Sequence, residues 1–152
     1  MKRMNSSAKI AELAPQIMGA FHDLGEQHPK GERLSMRQYQ ALIVLNADDR
    51  LTLKQFCEKL SLAPSTGTEL ANRMIDLGYF YKESESEDRR HALLTVTPKG
   101  KALLKQRQLA LTKMFDVFLE PFEQNDRQTF VHAFERIWEL IEKYHIQPKK
   151  NQ

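Results

Sequence analysis

One cysteine, one tryptophan and no unbroken aliphatic run longer than the five residues Ala41 to Leu45 are what this sequence has little of. A single cysteine excludes an internal disulfide. A transmembrane helix needs about 20 consecutive apolar residues, and the basic start Met1-Lys2-Arg3 leads into Asn5-Ser6-Ser7 where a secretory signal would carry its apolar core. A cytoplasmic protein without membrane contact is expected. The six glycines and six prolines are scattered, with no linker, no low-complexity tract and no repeat at a solenoid period. Catalytic chemistry also lacks its parts. The chain has no glycine-rich phosphate loop and no G-x-S-x-G elbow, and no pair at i, i+4 among His22, His28, His91, His132 and His145. Cys57 has no base beside it in sequence, so no metal, cofactor or catalysis is expected.

What is present is enough to fold. The 152 residues fit one domain on a prior of about 150 residues each. A monomer this size buries roughly 70% of its unfolded surface, so neither a disulfide nor a structural metal is required. Twenty-three Lys+Arg against twenty Asp+Glu give a net charge of +3, with 41% apolar and 28% charged residues. That is a globular composition and not that of a disordered tail. The pI near 9.0 hints at a polyanionic partner.

The ends differ from the middle. Ile10, Leu13, Ile17, Phe21 and Leu24 step by threes and fours, predicting an amphipathic helix over residues ~6–27 closed by Gly25 and the loop His28-Pro29-Lys30-Gly31. Leu104, Leu111, Phe115, Phe118 and Phe122 form a second stripe up to a break at Pro121. Phe130, Phe134, Ile137, Ile141 and Tyr144 form a third after an Asn125 cap. Three long one-sided helices therefore flank a middle built of short elements.

In that middle, Ser35-Met36-Arg37-Gln38 and Thr52-Leu53-Lys54-Gln55 have capping-box spacing. The first opens a helix to about Leu45, followed by a polar turn at Asn46-Ala47-Asp48-Asp49-Arg50. The second opens a helix that packs Leu53, Phe56 and Leu60 inward, with Cys57 read as a buried small hydrophobe in preference to a redox sensor. Ser61-Leu62-Ala63 is a tight turn, Pro64 suits the first position of the next helix, and Leu77-Gly78 ends it. Tyr79 to Lys82 and His91 to Val96 read as strands around a wholly polar tip, Glu83 to Arg90, and Thr97-Pro98 caps the helix that follows.

Helix, helix, turn, helix, hairpin is a winged helix-turn-helix. The fold expected is mainly α with a small β-hairpin wing, a DNA-binding domain at residues 34–100, and a helical dimerisation region formed by residues 1–33 and 101–152. The helix after the turn offers free N–H groups and a positive dipole to a phosphate, while its short polar side chains reach base edges. Pro64, Ser65, Thr66 and Thr68 lie at that end, and Arg73 lies further along. At the wing tip, Arg89 and Arg90 suit a minor groove, with Asp88 orienting the Arg90 guanidinium.

Four stretches resemble the MarR-type winged-helix transcriptional regulators: Ser65-Thr66-Gly67-Thr68, Asn72-Arg73-Met74 ahead of Gly78-Tyr79, Ser86-Glu87-Asp88-Arg89-Arg90, and Leu94-Thr95-Val96-Thr97-Pro98-Lys99-Gly100. The wing signature is the most specific, and the flanking helices extend the likeness over nearly the whole chain. The resemblance implies a homodimer whose terminal helices interlock across a two-fold axis and dock two winged domains in successive major grooves of a pseudo-palindromic double-stranded DNA operator. It also implies a repressor tuned by a small-molecule effector or an oxidant. The effector pocket it implies lies near the dimer base, and His22, Met36, Tyr39 and Leu111 are candidates for its wall.

Charge placement qualifies that reading. Residues 48–100 hold eight Lys+Arg against nine Asp+Glu, so phosphate attraction must come from local placement. Lys99, Lys101, Lys105, Arg107 and Lys113 span fifteen residues without an acid, and a solvated helix face is preferred for them over DNA backbone contact. Glu83, Glu85 and Glu87 keep an alternative open, a winged-helix interaction module whose acidic wing binds a protein partner. The stripe of Phe115, Phe118, Phe122, Phe130 and Phe134 reads as core or dimer seam in preference to a ligand cage.

Overall fold

Caps decide where the helices of the middle region begin. In the computed structural model, which describes residues 5–26, 34–83 and 92–145, helix α1 spans Ser6–Glu26. Ser35 Oγ accepts from Gln38 N and Gln38 Oε1 accepts from Ser35 N, both at 3.1 Å, opening α2 (Met36–Asp48). Thr52 and Gln55 exchange the same two bonds at 3.1 and 2.9 Å and open α3 (Leu53–Lys59). Helix α4 (Pro64–Asp76) starts at Ala63 with no side-chain cap. Thr97 caps α5 (Pro98–Leu119), its Oγ1 accepting from Gly100 N at 3.1 Å, and α6 (Gln124–His145) follows. No helix of the described residues is long and apolar enough to cross a membrane.

The expected hairpin is present but belongs to a three-stranded antiparallel sheet. Strands β1 (Leu51–Thr52), β2 (Phe80–Glu83) and β3 (Leu93–Val96) lie in the order β1-β3-β2, with Leu51 opposite Leu94 and Phe80 opposite Val96. The polar turn expected at 46–50 is corrected accordingly. Helix α2 runs on through Asn46-Ala47-Asp48, only Asp49 (φ 60°) and Arg50 turn the chain, and β1 follows at once. A polar solvent-facing turn carries no breaker, and two residues are too few for a period of two to register. The other shifts are small. Gly25 lies inside the last turn of α1, and Asn125 is already helical, because Glu123 O accepts the first bond of α6 from Arg127 N at 3.0 Å. His28, His91 and the wing-tip residues 84–90 lie outside the described residues.

The core of the winged region gathers Leu42, Leu45, Phe56, Met74 and Leu94, with Phe56 edge-on to Phe80 at 5.7 Å between ring centroids. Each such side chain contributes about 1.5–3 kcal/mol of burial. Leu104, expected in the terminal stripe, joins this core with Leu103, because the first turns of α5 pack on α2 and β3 before the helix leaves the domain. The terminal helices make their own cluster. Phe21 of α1 stands 5.7 to 6.4 Å from Phe115, Phe118, Phe130 and Phe134, and Phe122 stacks beside Phe118 and Phe130. Their outer faces remain apolar and uncovered: Ile10, Met18, Val117, Ile137, Trp138 and Tyr144 are all more than half exposed.

Candidate nucleic-acid interface

Helix α3 ends on a left-handed residue that is not glycine. Ser61 adopts φ 53°, its N–H donates to Glu58 O at 3.1 Å, and Leu62 N donates to Cys57 O at 2.9 Å. These two bonds reverse the chain within Leu60 to Ala63 and aim α4 across α3. The crossing is close because Gly67 of α4 is buried against Cys57, and a Cβ at Gly67 would overlap Cys57 Sγ. Burial raises the Cys57 thiol pKa, with the neighbouring Glu58 charge adding to it, which suits the packing role read for this cysteine. Among the described residues no group of three His, Cys, Asp or Glu is placed to hold a metal.

The solvent face of α4 carries Ser65, Thr66, Glu69, Asn72, Arg73 and Asp76, all exposed and spaced as one side of a helix. Its first turn is bare. Pro64 has no N–H, Ala63 has no capping oxygen, and the N–H groups of the exposed Ser65 and Thr66 point past the end of the helix. Thr68 is placed differently from its neighbours. It is half-buried toward α3, and its hydroxyl donates to Pro64 O at 2.7 Å. Arg73 is the single cation on that face against Glu69 and Asp76, so the face carries one net negative charge and phosphate attraction there rests on local placement.

A cation the sequence reading passed over lies beside this end. Lys54, in the first turn of α3, lines a crevice of ≈ 420 Å³ with Leu53, Leu62, Pro64 and Thr68. The available signal was its place just after the Thr52 cap, since the first helix of such a pair crosses the DNA backbone. Asp88, Arg89 and Arg90 lie outside the described residues.

Three of the four residues read as an effector wall come together. Met36, Tyr39 and Leu111 line one cleft with Leu34, Ser35, Arg107, Ala110 and Met114, of ≈ 230 Å³, between α2 and α5. His22 is exposed near the end of α1 and is not part of that lining. Burial raises the Tyr39 hydroxyl pKa, and the charge of Arg107 opposes the shift, so a cation faces an otherwise largely apolar wall.

A capped helix joined by a tight turn to a second helix with a bare N-terminus at the surface, and a sheet beside that second helix, define a winged helix-turn-helix protein. Residues 34–91 match the family model of the MarR family. The organic hydroperoxide resistance transcriptional regulator of Bacillus subtilis (strain 168) is 37% identical over 70 residues, 46% of this chain and 47% of that protein, so the chain spans less than half the length of this relative. Two solved structures share the fold. FabT of Streptococcus pneumoniae, in complex with DNA, has a TM-score of 0.70 at 16% identity, covering 91% of this chain and 99% of its own. The PcaV transcriptional regulator of Streptomyces coelicolor, in complex with its natural ligand, has a TM-score of 0.64 at 24% identity, covering 91% and 98%. The winged segment, residues 34–91, is thus similar to the MarR family, and the relative matched there is a transcriptional regulator.

Proposed function

We propose that the protein is a homodimeric transcriptional repressor that reads a pseudo-palindromic site in double-stranded DNA through α4 and releases it when a small molecule binds. The observation that carries this reading is the first turn of α4, exposed and uncapped, where α2, α3 and α5 each begin with a side-chain cap. Free N–H groups at a helix N-terminus suit a DNA phosphate, and Ser65 and Thr66 supply short donors for base edges. The FabT complex with DNA supports the class of ligand. DNA fragments selected by the purified protein, then titrated against rising salt, test it. A shared two-fold motif and a linear fall of log K with log salt are expected, and failure to enrich any motif would redirect the wing reading toward a protein partner.

For the effector, the walls of the cleft set the chemistry. A volume of ≈ 230 Å³ is below the ~300–1,000 Å³ of drug-sized pockets, so it suits a single ring. Arg107 favours an anionic substituent, and Met36, Leu111 and Met114 favour an apolar body. Among solved structures of this fold, DNA binding by BpsR of Bordetella bronchiseptica is regulated by 6-hydroxynicotinic acid, and PcaV is in complex with its natural ligand. Calorimetry with simple aromatic carboxylates should show binding that Arg107→Met abolishes.

A further inference from the structure

The C-terminal end of α4 is tied to the first turn of α5 by side chains that the DNA-reading face does not use. Gly78 takes φ 81°, and this lets Gly78 N donate to Ile75 O and Tyr79 N to Met74 O, each at 2.9 Å. The carbonyls of Leu77, Gly78 and Tyr79 are claimed by the segment that starts α5. Lys99 Nζ donates to Leu77 O at 3.0 Å, Thr97 Oγ1 to Gly78 O at 2.6 Å, and Thr97 N to Tyr79 O at 3.0 Å. Thr97 Oγ1 at the same time accepts from Gly100 N, so one hydroxyl serves both helices. The Lys99 ammonium also lies 5.0 Å from the centroid of the buried Tyr79 ring. Gly100 permits the approach, since a Cβ there would come within 2.5 Å of Tyr79 O and 2.7 Å of Val96 Cγ1.

We infer that Lys99 is a positioning residue for DNA reading: with Thr97 it clasps the end of α4 to α5 and so sets the angle at which Ser65, Thr66 and Arg73 meet a groove. The inference rests on the DNA-reading function proposed above. The buried side of α4 is held by Gly67 against Cys57 and by Ala71 and Met74 in the core, and Lys99 and Thr97 hold its far end, past the last buried residue of the helix. The 13 residues of α4 span about 20 Å. The Lys99 charge is therefore well over a Debye length of about 8 Å from the Ser65 end, and acts there through orientation and not through attraction of phosphate.

Full-length Lys99→Met and Lys99→Arg proteins separate the possibilities, because Arg keeps both the donor and the contact with the Tyr79 ring. Hydrogen exchange at the Gly78 and Tyr79 amides reads the clasp without DNA. Faster exchange in Lys99→Met, restored in Lys99→Arg, is expected, and equal exchange in all three proteins would overturn the clasp. On DNA fragments selected by the unaltered protein, Lys99→Met should lose roughly tenfold in affinity, the worth of one charge-assisted hydrogen bond. Affinity for scrambled DNA and the salt slope should not change, and Lys99→Arg should recover the loss. Equal losses on both DNAs with the slope lowered by about 0.9 would make Lys99 a phosphate contact instead, and no loss on either would make it a solvated surface charge. If the unaltered protein selects no DNA, the function proposed above fails, while the exchange measurement still judges the clasp.

Discussion

Ser65 and Thr68 are three positions apart on one helix, and their hydroxyls have different freedom. Ser65 is exposed beside the uncapped N–H groups, while Thr68 is half-buried with its hydroxyl bonded to Pro64 O. Replacing Ser65 by alanine should cost about 1–3 kcal/mol on a preferred site and much less on random DNA, as for a base-edge contact. Thr68→Ala should leave the ratio of specific to random affinity unchanged, because its hydroxyl already serves the helix. An anisotropy titration of each variant on both DNAs checks the pair, and a Thr68 loss equal to that of Ser65 would return Thr68 to the reading face. Cys57 makes a second residue-scale prediction. Burial holds its thiol pKa above the unfolded value, so from about pH 8.5 upward the folded state retains a proton that the unfolded chain releases. Stability should hold level from pH 7 to 8 and fall above that, with the raised Tyr39 pKa adding the same sign at still higher pH. Urea unfolding between pH 7 and 9.5 reads the slope, and Cys57→Ala should flatten its lower part.

Elements in this protein are set by contacts that one atom can break. The α3–α4 crossing depends on hydrogen at Gly67, because a methyl group there would overlap Cys57 Sγ. Gly67→Ala should destabilise the fold by about 1–3 kcal/mol, the usual cost of overpacking. Cys57→Ala in the same chain should recover a good part of that loss, since it removes the opposing atom. A double-mutant cycle by chemical denaturation measures the coupling, and additive losses would show that the two residues do not limit the crossing. The starts of α2, α3, α4 and α5 were legible in the chain. Ser35, Thr52, Pro64 and Thr97 stand where the helices begin, because capping is a local interaction over three residues. Strand β1 was not legible, since Leu51 and Thr52 become a strand only through pairing with Leu94 and Leu93, more than forty positions away.

At the scale of the molecule, the exposed surface points to assembly. Among the described residues, fourteen of the seventeen exposed large apolar side chains lie on α1, α5 and α6. That concentration supports the homodimer proposed above, with these helices as its seam. Ile137→Asp with Ile141→Asp, one turn apart on α6, should shift the protein from dimer to monomer in sedimentation. The emission of Trp138, 57% exposed in the single chain, should move to longer wavelength with it. A monomeric unaltered protein with the red-shifted emission already present would refute the interface.

The sequence by itself determined the order of the helices, the helix-turn-helix and the bare start of α4, because caps, breakers and helical periods act between residues three or four apart. Tertiary structure decided what no local rule reaches. It left His22 outside the cleft that holds Met36, Tyr39 and Leu111, and drew Phe21 among the rings of α5 and α6. It also brought Lys99 to the carbonyl of Leu77, twenty-two positions earlier. Each of these depends on the rotation of one element about its axis against another. That rotation is set by packing across the whole core, where the periodicity of a single segment only narrows the choice.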